Sequence, residues 1–70
     1  MLVLTKSLRE NAKEAIRMMR QWGAYEMDIP GHVGFIVLRD CAYSKKRRVF
    51  VLETIRLAGT DIEYFICQLY

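Results

Sequence analysis

A chain of 70 residues, 53% hydrophobic and 27% charged, has the makeup of one small globular domain and excludes a second core, a disordered segment and a collagen-like repeat. Its longest apolar runs, 33–38 and 49–52, fall far short of a bilayer's thickness, and the opening Met1-Leu2-Val3-Leu4-Thr5-Lys6 lacks the basic region, long apolar core and cleavage site of a secretory signal. A cytoplasmic protein without membrane contact is expected, with a net charge of +3.

Ser7 followed three residues later by Glu10 reads as a capping box, opening a helix over about 8–22. Steps of 100° gather Leu8, Ala12, Ala15, Ile16, Met19 and Trp22 on one side, the pattern of a helix laid on a sheet, and Gly23 ends it. Arg9, Lys13, Arg17 and Arg20 fall along one outer flank and Glu10, Glu14 and Gln21 along the other. Local pairs such as Glu14 with Arg17 would also account for that basic flank as a solvated face. Tyr25, Met27 and Ile29 then alternate with Glu26 and Asp28 as a strand with one wet face. Pro30-Gly31 supplies a β-turn, with glycine where φ must be positive.

The second strand is expected over 32–39, apolar on both faces and so central in the sheet. A polar, basic loop over 40–47 leads to a third strand over about 48–57, antiparallel to the second. The last segment is ambiguous between helix and strand. A stripe of Ile62, Phe65, Ile66 and Leu69, with a second capping box at Thr60 and Glu63, favours the helix. The expected fold is therefore α+β, α-β-β-β-α with a three-stranded antiparallel sheet packed by helices on one face; α-β-β-β-β is the alternative. Residues 1–4 would add a short edge strand.

The run Lys45-Lys46-Arg47-Arg48 is the sharpest local feature. Without these four, 7 of the 11 basic residues remain against 8 acidic ones, so the net positive charge comes from this run. Clustered cations at a hairpin tip create a field that attracts phosphates, and Arg9, Lys13, Arg17 and Arg20 would extend it if they share its side. A solvated, aggregation-resisting tip and an acidic protein surface are the competing explanations. Tyr43 beside the run could stack on a base. His32, the only histidine, follows the constrained turn and is the best general acid or base in the chain. An imidazole can take the proton of a ribose 2′-hydroxyl near neutral pH while cations hold the phosphate, and a structural or merely exposed histidine is the alternative.

Cys41 and Cys67 make no disulfide framework and have no second Cys or His at metal spacing, so reduced thiols and no metal or cofactor are expected. Glu26 and Asp28 belong to no acidic metal cluster. Ser7 and Ser44 have no visible triad, and no phosphate-binding glycine loop is present. The apolar excess in so short a chain predicts a covered surface, hence a homo-oligomer or a protein partner.

The order helix, three strands, helix, together with Gln21-Trp22-Gly23-Ala24-Tyr25 leading to Pro30-Gly31-His32, resembles the HicA family of toxin-antitoxin mRNA interferases within the double-stranded-RNA-binding-domain fold. In that family a Gly-Ser-His motif opens the strand; here the triplet is Pro-Gly-His. The resemblance spans roughly 7–57 and implies an endoribonuclease with His32 as the catalytic histidine, RNA as substrate and an antitoxin as partner. Ile29-Pro30-Gly31-His32 and Ser44-Lys45-Lys46 are also similar to the Gly-Pro-x-His turn and Ser-Lys-Lys motif of double-stranded-RNA-binding domains. Two further readings stand beside RNA binding: a phage or mobile-element regulator that inhibits a host protein, and a structural subunit of a homo-oligomer.

Overall fold

The protein is described by a computed structural model covering residues 4–39, 47–59 and 61–70. Helix α1 spans Lys6–Trp22. Its cap is Thr5, whose backbone is extended and whose Oγ1 accepts a hydrogen bond from the Leu8 amide at 3.1 Å. Ser7, expected to cap, lies inside the first turn, because the helix begins earlier than the Ser7–Glu10 pair suggested. At the other end Gly23 takes the left-handed conformation (φ 66°), and the amide of Ala24 also returns to the Met19 carbonyl. Leu8, Ala12, Ala15, Ile16 and Met19 are buried as their spacing predicts, but Trp22 is 66% exposed. It is the last helical residue, a turn beyond Met19, and escapes the buried stripe.

Four strands follow: β1 (Glu26–Asp28), β2 (Phe35–Leu38), β3 (Val49–Arg56) and β4 (Glu63–Leu69). They form one antiparallel sheet in the order β1-β2-β4-β3. The class is α+β as expected, in the alternative order α-β-β-β-β: the closing segment is a strand and not the favoured helix. The physical reason is its central position: Tyr64 and Ile66 are buried toward α1, while Cys67 is buried on the opposite face. A strand apolar on both sides shows no period of two, and its apolar spacing imitates a helical stripe. Insertion of β4 also changes the pairing, since β3 bonds to β4 rather than to β2.

The turn between β1 and β2 holds residues 29–34. Ile29 donates to the Phe35 carbonyl, His32 to that of Ile29, and Phe35 to that of His32. Gly31 has φ 78°, and a Cβ there would lie 3.5 Å from the Asn11 side chain. His32 to Gly34 therefore belong to the turn, and β2 is shorter than the expected 32–39.

α1 lies on one face of the sheet, where Leu8, Ala12, Ala15, Ile16 and Met19 pack with Ile29, Val37, Tyr64 and Ile66. Ile36, Leu38 and Cys67 form a second, smaller core on the other face, with Val49, Phe65 and Leu69 around it. A bulge between Val51 and Glu53 shifts the register so that Ile55 as well as Leu52 reaches the main core. The edge strand expected at 1–4 and most of the expected loop fall outside the described residues; Leu4, which is described, packs on the main core outside any strand. No helix of the described residues is long and apolar enough to cross a membrane.

Candidate functional site at one end of the sheet

His32 is half-buried in the turn, its Nε2 is 3.3 Å from the Ser7 Oγ, and its ring meets Phe35 edge-on with centroids 6.3 Å apart. Two residues beyond it, the Gly34 carbonyl accepts from the Leu69 amide at 2.8 Å. The next amide of that segment, Tyr70, donates to the Arg48 carbonyl at 3.3 Å. The end of β4 thus ties the histidine turn to the entry of β3, and His32 and Arg48 stand at the same end of the sheet.

Between them runs an aromatic row on the helix-side face. Phe35 pairs with Gln68, and Gln68 with Phe50, so the three side chains lie abreast on adjacent strands. Phe50 and Tyr70 touch at a tilt of 44°, with centroids 4.4 Å apart, and remain 55% and 69% exposed. α1 packs on β1, β2 and β4, with Leu52 and Ile55 of β3 at the margin of that contact, while Phe50 at the start of β3 stays outside it. Arg48 is exposed and makes no ion pair among the described residues. Glu53, the nearest carboxylate along β3 on that face, is held by Arg9 at 3.0 Å.

The remaining predicted cations are dispersed. Lys45 and Lys46 lie outside the described residues. Arg47 reaches Glu26 at 3.6 Å. Glu26 is in register with Leu38, on the face away from the helix, so Arg47 and the basic flank of α1 face opposite sides of the sheet. Arg17 pairs with Glu14 at 3.0 Å, as its spacing suggested, and lines a shallow groove with Lys13 and Glu10. Arg20 sits at the far end of α1, around a hollow shared with Arg39, Ile62 and Tyr64; the Arg39 guanidinium lies 4.9 Å from the centre of the Tyr25 ring. These half-exposed ion pairs contribute little stability each. Their effect is to neutralise Arg9 and Arg17 and to leave Arg48 as the predicted cation standing beside the aromatic row.

Phe35, Phe50, Gln68 and Tyr70 were not foreseen as a group. They come together only when β4 is a strand between β2 and β3, and the helix reading of 62–69 hid that register. Among the described residues, no three His, Cys, Asp or Glu side chains gather where they could hold a metal ion.

Fold and site together define a small α+β domain, one helix on a four-stranded antiparallel sheet, one end of which carries a histidine, an aromatic row and an arginine with no ion pair among the described residues. Comparison with protein-family models, curated proteins and solved structures finds no match to this chain.

Proposed function

We propose that the protein binds RNA at this end of the sheet, with Arg48 and the cations that precede it on the phosphates. The observation that supports it is the hydrogen-bonded link from the His32 turn through Leu69 and Tyr70 to Arg48. It brings the turn that holds His32 and the backbone of Arg48 to the same end of the sheet. The finer reading is a metal-free mRNA interferase of a toxin-antitoxin system, with an antitoxin as partner. Neutral His32 takes the 2′-hydroxyl proton, the 2′-oxygen attacks the adjacent phosphorus, and the bond to the 5′-oxygen breaks. The leaving oxygen collects the proton, giving a cyclic phosphate and a 5′-hydroxyl. The basic run offsets the charge gained by the phosphorane.

The test is fluorescence anisotropy with labelled RNA across a salt series. Affinity is expected to fall steeply between roughly 50 and 200 mM salt, and replacing Lys45, Lys46, Arg47 and Arg48 with Ala should abolish most of it. Salt-insensitive binding, or none, defeats the proposal. Cleavage that persists in His32→Ala defeats the interferase while leaving binding in place. A second reading, a phage or mobile-element regulator that docks on and inhibits a host protein, draws support from the exposed Phe50 and Val51 on edge strand β3. It would show as a stoichiometric protein partner retained after nuclease treatment.

A further inference from the structure

We infer that the row Phe35, Gln68, Phe50 and Tyr70 is a stacking platform for unpaired bases, so that the RNA taken at this end of the sheet is single-stranded. The inference rests on the RNA-binding reading and narrows its substrate. Phe50 and Tyr70 stay 55% and 69% exposed where their rings meet, and the edge-on pair of His32 and Phe35 closes the other end of the row. Two interstrand steps separate Phe35 from Phe50, roughly 10 Å, which is room for two successive bases.

Gln68, half-buried between the rings, brings one amide donor group and one acceptor to the level of a base edge. Charge selects the occupant. The carboxylate nearest along β3, Glu53, is bound to Arg9, whereas Arg48 beside Tyr70 is unpaired among the described residues. Exposed rings beside net positive charge suit a polyanion that carries flat apolar groups. A duplex buries those groups in its own stack, so only an unpaired strand can use the rings.

The experiment compares a labelled oligouridine with a blunt RNA duplex, using wild type, Phe50→Leu, Tyr70→Leu and the double variant. Leucine keeps apolar bulk and removes the ring, and both positions are exposed enough for the variants to fold, which circular dichroism checks. Wild type should prefer the single strand, and each ring lost should weaken that binding about ten-fold while leaving weak duplex binding unchanged. Val51→Ala, on the opposite face of the same strand, should bind as wild type does. Salt-dependent RNA binding that the ring variants leave intact, or a preference for the duplex, overturns this inference and spares the RNA-binding reading. Absence of any RNA binding by wild type overturns both. A dimer that the ring variants convert to a monomer would assign the row to self-association and overturn the inference as well.

Discussion

Cys67 lies between Ile36 and Val51 in the sheet, on the face turned away from α1, and has no exposed surface. Its thiol is 3.6 Å from the Phe65 carbonyl, to which it donates. Burial pushes the thiol up from its ordinary 9.0 to about 11, because a thiolate there would lose its hydration. The folded state therefore favours the protonated thiol. That preference is fully present below pH 9 and is lost as pH rises through about 11, since the unfolded chain gives up its proton first. Wild type is expected to lose up to roughly 2 kcal/mol over this window relative to Cys67→Val, which fills the site without titrating. Urea unfolding of both proteins at stepped pH measures the difference, and parallel curves would show that the thiol is hydrated. Below pH 9 the same burial should keep Cys67 unreactive toward iodoacetamide until the protein unfolds.

At the scale of elements, the start of α1 separates two serine/threonine roles that look alike in sequence. Thr5 accepts from the Leu8 amide, whereas Ser7, inside the helix, faces His32. Thr5→Ala should cost about 1 kcal/mol of stability. Ser7→Ala should cost well under half of that, with urea unfolding measuring both. Equal losses for the two variants would restore Ser7 as the cap. The body of α1 was legible because a helix on a sheet has one apolar side, and Leu8, Ala12, Ala15, Ile16 and Met19 display it. β4 was not, because Tyr64, Phe65, Ile66 and Cys67 meet apolar neighbours on both faces and leave no polar alternation to read. The same ambiguity concealed half of the site. His32 and Arg48 stand out by residue type and by the turn or run that holds them, but Phe35, Gln68 and Phe50 become neighbours only through the register of β4.

For the molecule as a whole, one helix covers one face of the sheet, and most of the buried side chains belong to that single layer contact. A domain of this size has roughly 5 kcal/mol of stability in total. Ile16 is fully buried at the middle of the contact. Cutting it to alanine should cost about 2–5 kcal/mol, because little else can move in to fill the space. Ile16→Ala is therefore expected to lose half or more of its resistance to urea and to be partly unfolded without denaturant. Val33→Ala, at a fully exposed turn position, should stay within about 0.5 kcal/mol of wild type. Circular dichroism during urea titration distinguishes them. A wild-type midpoint for Ile16→Ala would mean that the helix is not the main cover of the sheet. A protein so near its threshold can still hold an open aromatic end, because Phe50 and Tyr70 belong to neither buried cluster and should be changeable with little cost to folding.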